Sequence, residues 1–352
     1  MFEPSKNHQT IFFNNKPKII SNYSIVGPLE GEGVLNKYFD YVLQKDTFKE
    51  KSFELAERKM LEHIIFGAID KANLKVEDID AMLSGDLLNQ IVSSSFTARK
   101  LGITFIGLYS ACATMAESLA LGACMIDRKI FNNVVCATAS HFSSAERQYR
   151  FPLELGNQRP PTSQWTVTGG GATILSNCND INLPYISSAT FGKVVDFGIK
   201  DVNNMGAAMA PAAMDTIMTH LEATNTTIDD YDMIATGDLG KLGSEILTDL
   251  LERKGIKLKQ NYSDCGNLMY TKQGKTFMGG SGSGCSASVF NSYIMNKLKT
   301  GEFKKVLLIA TGALLSTTTS QQGDSIPGIA HAVCIESDCK LTNKNNTDKP
   351  KM

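Results

Sequence analysis

The residues Ser110-Ala111-Cys112-Ala113-Thr114 lead into a run, Cys112 to Ile126, composed almost wholly of small and apolar side chains. The same arrangement returns at Ser283-Gly284-Cys285-Ser286-Ala287, 173 positions further on (112 to 285). A helix that is apolar on every side has no face to offer water, so it belongs in an interior. Two such helices in one chain need a common shelter, and each begins at a cysteine on a tight turn.

The echo extends outward from the cysteines. Val76-Glu77-Asp78-Ile79-Asp80-Ala81-Met82-Leu83-Ser84-Gly85-Asp86-Leu87 aligns with Ile228-Asp229-Asp230-Tyr231-Asp232-Met233-Ile234-Ala235-Thr236-Gly237-Asp238-Leu239 at a constant offset of 152 (86 to 238). From the cysteines onward the offset is 173, so that Ala137-Thr138 falls on Ala310-Thr311. The second copy therefore carries 21 extra residues (173 less 152), assigned to the polar, glycine-spaced stretch Lys257 to Phe277, where a hairpin is expected. Phe53 to Ala72 has helical spacing of its apolar residues, with Ala212 to Ala223 as its counterpart. In each copy a short apolar strand ending in Ser/Thr-Gly-Asp follows, then a second helix, the cysteine turn, the buried helix and another strand (Asn133 to Ala137; Val306 to Ala310). Thr168 to Leu175 and Ile329 to Ile335 read as closing strands. Such alternation predicts an α/β protein with a largely parallel, helix-covered sheet in each half. The halves are set at residues 10–180 and 181–338, and the polar tail Leu341 to Met352 is expected to be disordered.

Bulk composition removes several classes of function. With 42% hydrophobic and 20% charged residues, the 352-residue chain is a globular one able to bury a large core. A net charge of −1 and the lack of a basic run give no electrostatic case for nucleic acid or for polybasic attachment to a membrane. Eight cysteines, none in a CxxC pair, match neither a disulfide scaffold nor a zinc site, so a reduced, intracellular protein without a bound metal is expected. Met1 to Asn15 lacks the basic-then-apolar order of a secretory signal. The longest apolar stretch, Val306 to Leu315, falls far short of the roughly 20 residues a spanning helix needs.

Taken together, the duplicated halves, the two buried helices and the cysteine at the start of the first resemble the thiolase superfamily, which includes the ketoacyl synthases. That resemblance implies a layered αβαβα architecture with two central helices, and a homodimer. A narrower likeness rests on Gly85-Asp86-Leu87-Leu88-Asn89-Gln90, Ala145-Glu146-Arg147-Gln148-Tyr149-Arg150, Ala208-Met209-Ala210-Pro211-Ala212-Ala213, Thr311-Gly312-Ala313-Leu314-Leu315-Ser316 and Ile329-Ala330-His331. These strings are similar to the thiolase-like stage V sporulation protein AD family of spore-forming bacteria, over residues 10 to 338. The resemblance implies binding of dipicolinic acid, free or as its calcium chelate. It also implies partnership with the other subunits of an inner-membrane channel that moves dipicolinic acid into the spore, with release on germination as a further role.

Cys112 is the focus of the chemistry. A thiol at a helix N-terminus meets the positive end of the macrodipole, which favours the thiolate. Acyl transfer also needs a base and oxyanion donors. Condensing enzymes supply one histidine from the second-half loop that here reads Thr236-Gly237-Asp238-Leu239-Gly240, and a histidine or asparagine from a turn that here reads Gly280-Ser281-Gly282-Ser283-Gly284. Asp238 and Ser281 stand where those partners are expected. Cys112 then has three readings: a wall of a retained ligand pocket, which we adopt, a buried small hydrophobe, or an acyltransferase nucleophile acting on a CoA or carrier-protein thioester. Cys285, its duplicate, reads as packing.

The expected ligand site gathers Cys112, Asp86, Asn89, His141, Arg147, Asp238, Ser281 and His331. The helix start offers N–H groups to an anion. Arg147 and Arg150 offer forked donors to carboxylates, or else form a surface or dimer face. Asp86 and Asp238, symmetry-related, either ligate a calcium held by dipicolinate or cap the next helix. Asn89 and Gln90 are amides on the same loop. His8, His63 and His220 read as surface residues, while His141 and His331 lie at strand positions suited to a pocket. No Gly-Lys-Ser/Thr follows the glycine run at 280–284, so a nucleotide is not expected.

Overall fold

A computed structural model describes residues 9–149, 153, 156, 158–270, 274 and 276–339. The expectation for Leu341 to Met352, and the residues His8 and Arg150, lie outside the described residues. Along the chain run β1 (Thr10–Phe12), β2 (Lys18–Val26), β3 (Tyr41–Val42), α1 (Phe53–Lys71), β4 (Ala81–Gly85), α2 (Val92–Leu101), β5 (Thr104–Gly107), α3 (Thr114–Asp127), β6 (Asn133–Ser140), α4 (Phe142–Tyr149), β7 (Trp165–Thr166), β8 (Gly169–Ser176) and β9 (Tyr185–Thr190). The second half continues with α5 (Met205–Thr224), β10 (Met233–Thr236), α6 (Gly240–Glu252), β11 (Tyr262–Asp264), α7 (Cys265–Met269), β12 (Gly280–Ser281), α8 (Ser283–Val289), α9 (Met295–Lys299), β13 (Lys305–Ala313), α10 (Thr317–Gln321) and β14 (Gly328–Glu336).

The strand order makes the duplication visible. In the first half it is β5-β4-β6-β8-β2, and in the second β11-β10-β13-β14-β9. In both, the first three strands pair parallel and the last two antiparallel. The two sets join edge to edge where Lys18 pairs with Tyr185. Ser84 pairs with Ala137 and its counterpart Thr236 pairs with Ile309, so Thr138 on β6 is equivalent to Ala310 on β13, one residue short of the expected match with Thr311.

Side-chain alternation along each strand sorts the core into layers. Leu83, Cys136 and Leu175 of the first half, with Ala235, Leu308 and Val333 of the second, face one shared interior. Their sequence neighbours Met82, Val135 and Ile174 turn outward under α1, and Ile234, Leu307 and Ala332 turn outward under α5. The shared interior holds α3 and the continuous helix of residues 283–299, in which Phe290–Ile294 forms a π-helical turn between α8 and α9. The order is therefore helix, half-sheet, central helices, half-sheet, helix: the αβαβα architecture expected from the sequence.

Two local expectations give way. Lys257 to Phe277 contains no hairpin among its described residues. It supplies β11, a parallel edge strand beside β10, and then α7. The edge strand is the counterpart of β5, so most of the additional residues follow it instead of preceding it. The helix read from Ala212 begins earlier, at Met205, with Pro211 inside it. A proline there forfeits one backbone hydrogen bond. Burial of Ala208, Met209, Ala210 and Ala212 in the outer core of the second half offsets that loss.

Candidate functional site

Cys112 sits in a one-turn helix, Ala111–Ala113, immediately before α3. Ala111 there has φ of 49°, a left-handed conformation uncommon for a residue with a Cβ. The turn is pressed against Gly312 of β13: a Cβ at Gly312 would lie 2.3 Å from the Ser110 carbonyl oxygen and 3.1 Å from the Ala113 nitrogen. Only glycine lets the elbow approach the strand so closely.

The Cys112 thiol, 6% exposed, donates a hydrogen bond to the Asp238 carboxylate. Asp238 accepts three further bonds: Thr311 Oγ1 at 2.7 Å on Oδ1, and Ser281 Oγ and the Gly282 N–H, each at 3.0 Å, on Oδ2. The two halves thus meet at one thiol, with Cys112 from the first and Asp238, Ser281, Gly282 and Thr311 from the second. Gly282, with φ of 99°, turns its N–H toward the carboxylate.

The electrostatics oppose thiolate formation. Burial pushes the Cys112 thiol well above the ordinary cysteine range, and the Asp238 charge and hydrogen bond push it the same way. The Gly282 N–H and Ser281 hydroxyl pull it down, but by less. A helix N-terminus is worth about 0.3–1 kcal/mol to an anion, up to about 2 in favourable geometry. Dehydrating an ion costs several kcal/mol, so burial wins and the dipole argument for a thiolate fails here. Asp238 is itself raised by burial, against its four hydrogen bonds.

A narrow cavity of about 30 Å³ opens at the thiol. Cys112, Ala111, Ser281, Gly282 and Thr166 form its floor; Leu87, Ala145, Met205, Ala313 and Leu315 form apolar walls. Tyr109, 52% exposed, and Tyr149 stand at it, hydrogen-bonded to each other. Tyr149 also donates to the Leu87 carbonyl. Among the described residues the lining contains no Lys, Arg or His.

Of the eight residues assembled from the sequence, Cys112 and Ser281 line the cavity and Asp238 backs it. The other five stand elsewhere. Asp86 is buried and accepts the Leu88 N–H at 3.0 Å and the Ser94 N–H at 2.8 Å, bracing the entry to α2. Asn89 is exposed and shares hydrogen bonds with Gln148. Gln90 beside it is exposed. His141 is buried, with Nδ1 accepting the Ser143 N–H, which leaves Nε2–H to donate to the Asp46 carbonyl at 3.0 Å. Arg147 is on the surface, 3.4 Å from Glu54. His331 accepts the Gly192 N–H and rests against Phe191 in the interior. His220, expected on the surface, is buried between Thr190 Oγ1 at 2.7 Å and Tyr231 OH at 3.1 Å. His63 is half-buried against Tyr23, Tyr41 and Phe48.

Sequence reasoning missed Tyr109, Tyr149, Thr311 and Asp264. Asp264 accepts the Leu239 and Gly240 N–H groups, each at 2.9 Å, and Thr236 Oγ1 at 2.7 Å. It performs in the second half the loop-bracing that Asp86 performs in the first. Asp238 is thereby left to face the thiol. The strings Ala-Glu-Arg-Gln-Tyr and Thr-Gly-Ala contained Tyr149 and Thr311, but nothing in their spacing marks which side chain turns inward.

The sequence profile of the stage V sporulation protein AD family matches residues 7–336. Stage V sporulation protein AD of Bacillus subtilis (strain 168) is 44% identical over 329 residues, 93% of this chain and 96% of that protein. Among solved structures, 3-oxoacyl-[acyl-carrier-protein] synthase III from Aquifex aeolicus VF5 superposes with a TM-score of 0.55 at 13% identity, covering 91% of this chain and 99% of that one. Xanthomonas campestris OleA with cerulenin bound gives a TM-score of 0.58 at 12% identity, covering 95% and 99% respectively. At such identities the solved structures speak to the fold alone.

Proposed function

The chain belongs to the stage V sporulation protein AD family, and from that premise we propose that it is a non-catalytic binding protein for dipicolinic acid, held at the Cys112 cavity. In this reading it serves as a homodimer alongside the other subunits of the spore inner-membrane dipicolinate channel, in the loading of the spore and in release on germination. Among the described residues no helix is long and apolar enough to cross a membrane, which fits a peripheral station beside such a channel.

The observation that carries the proposal is the Cys112–Asp238 pair. A nucleophilic thiol requires a base that accepts its proton and then stabilises developing charge. Here the thiol's partner is a buried carboxylate that repels a thiolate, and the neighbouring donors, Ser281 Oγ and the Gly282 N–H, are already engaged by that carboxylate. What remains is a mostly apolar slot with a few fixed polar groups, the usual make-up of a small-ligand site.

The same lining selects the form of ligand. A free dicarboxylate would enter beside Asp238 with no Lys or Arg among the described lining residues to neutralise it. The calcium chelate, with its charge cancelled by the metal it carries, meets no such opposition. The slot is too narrow for a pyridine ring as it stands, so entry requires Tyr109, the exposed wall, to swing outward.

Titration calorimetry of the purified protein with dipicolinate, with and without equimolar calcium, tests this. Heat that saturates with the chelate, and is unaffected by pyridine monocarboxylates, is expected; absence of heat with either form refutes it. The second reading, an acyltransferase using Cys112 on a CoA or carrier-protein thioester, is favoured by the apolar walls alone. It requires an acyl adduct by mass spectrometry that Cys112→Ala removes.

A further inference from the structure

The outer face of the first half carries a second concavity, unconnected with the thiol site. It is a groove of about 440 Å³ between α1 and α2. On α1 it is lined by Leu55, Arg58, Lys59 and Glu62, one stripe at i, i+3, i+4 and i+7; on α2 by Phe96, Arg99 and Lys100 at i, i+3 and i+4. The buried side of α2 is made of other residues, Ser93, Ser94, Thr97, Ala98 and Leu101, so this stripe is not needed for the core.

Two properties set the groove apart from an ordinary solvated helix face. Phe96 is 38% exposed, and two guanidinium groups flank it, Arg99 at 4.4 Å and Arg58 at 5.5 Å from the ring centroid. The charges also fail to balance. Glu62 is shared by Lys100 at 2.6 Å and Arg58 at 3.9 Å, and Glu50 pairs with Lys59 at 2.6 Å. Three cations thus share two carboxylates, and the fourth, Arg99, makes no ion pair among the described residues. The excess is local, since the chain as a whole carries −1.

We propose that this groove docks an acidic amphipathic helix of a partner protein. The occupant's apolar edge would lie on Phe96 and Leu55, and its carboxylates would meet Arg58, Arg99 and Lys100. A furrow between two helices accepts a third one, laid with anchors at i, i+3 or i+4. A flat bilayer cannot enter a furrow, and Glu50 and Glu62 in its lining would face anionic headgroups. Arginine and an exposed aromatic are the side-chain types that most often dominate binding energy at such contacts.

The test uses the full chain and a fluorescein-labelled peptide of about 16 residues, with Leu and Phe at helical spacing and Glu between them. Its controls are a scrambled peptide of the same composition and vesicles of phosphatidylcholine with phosphatidylglycerol. Fluorescence anisotropy should show saturable binding of the amphipathic peptide, about tenfold tighter than the scramble and weakened by salt. Arg99→Glu and Phe96→Ser, both at exposed positions, should each weaken it about tenfold or more while leaving the melting temperature unchanged. Equal affinity for the scramble, indifference to both substitutions, or binding to vesicles but not to peptide would overturn the proposal. So would self-association, seen by sedimentation, that Arg99→Glu abolishes, since the occupant would then be a second copy of this chain.

Discussion

Replacing Asp238 by asparagine should release Cys112. Asp238 raises the thiol through its charge and as the acceptor of the thiol's hydrogen bond. Two unit charges about 4 Å apart repel by about 4 kcal/mol at the effective dielectric of a partly buried site, and each 1.36 kcal/mol is a factor of ten in the thiolate fraction. Rearrangement around the amide returns part of that, so alkylation of Cys112 by a small reagent at pH 8 should run about tenfold or more faster in Asp238→Asn. Burial, the larger cause, is untouched, so the thiol stays less acidic than a free cysteine. The substitution also carries a structural cost. Ser281 Oγ, the Gly282 N–H and Thr311 Oγ1 all donate to the carboxylate, and an amide can accept from only one side. Loss of about 1–3 kcal/mol of stability is expected. Site-resolved mass spectrometry across a pH series separates the two effects. An acid-strengthened thiol moves the midpoint of the rate profile to lower pH, whereas a loosened fold raises the rate by the same factor at every pH. An unchanged midpoint in a folded Asp238→Asn protein would refute the electrostatic account of why Cys112 is silent.

The remaining predictions bear on the elbow, the pH response and the excluded site residues. Gly312→Ala places a Cβ 2.3 Å from the Ser110 carbonyl oxygen, so overpacking of about 1–3 kcal/mol is expected. Thermal denaturation should show a drop of several degrees, and Cys112 should become more accessible as the elbow shifts. Glu30, held near 7 by burial against its ordinary 4.5, keeps its proton in the folded state while the unfolded chain ionises, so its contribution to stability falls as pH rises from about 4.5 to 7. His220, held near 4 against 6.5, does the reverse, and its contribution grows as pH rises from about 4 to 6.5. Each amounts to about 3 kcal/mol, so they nearly cancel, and Glu30→Gln should unmask a melting temperature that climbs with pH across that window. Arg147→Ala, which breaks a surface pair with Glu54, should leave dipicolinate affinity unchanged by calorimetry, whereas Tyr109→Ala should alter the rate of ligand entry measured by stopped flow.

How far the sequence led can be judged from the elements themselves. The duplication was legible because both periodicities survive in both copies: strands that alternate between two cores, and central helices with no polar side. The offset of 173 set by the cysteines runs one residue too far in β6 and β13, where the strand register makes Thr138 equivalent to Ala310 and not to Thr311. Where the extra residues went was not legible, because a short edge strand such as Tyr-Ser-Asp carries no alternation to read. Long-range partners were equally hidden. His141 at the Asp46 carbonyl, His220 at Thr190 and His331 at Gly192 each satisfy a ring nitrogen with a group that only the folded chain brings near, and a histidine in a sequence looks the same whether its destiny is a pocket or a core.

The pair Asp86 and Asp238 shows where symmetry misleads. They occupy equivalent positions after equivalent strands, and sequence reasoning treated them alike, both as calcium ligands or both as helix caps. In the first half the residue after Gly85 turns back to brace its own loop, accepting the Leu88 and Ser94 N–H groups. In the second half that work falls to Asp264, at the end of β11. The strand β5 ends in Gly107, which has no side chain to offer, so the first half has no substitute for Asp86. A duplicated fold can spend one of two equivalent carboxylates on a site only when another residue takes over its structural duty. Asp264→Asn tests this directly. Its amide can still accept one of the two backbone N–H groups but not both, so the loop carrying Asp238 should loosen, and Cys112 should alkylate faster with an unshifted pH midpoint. A shifted midpoint would mean that Asp264 acts on the thiol by its charge and not by holding Asp238 in place.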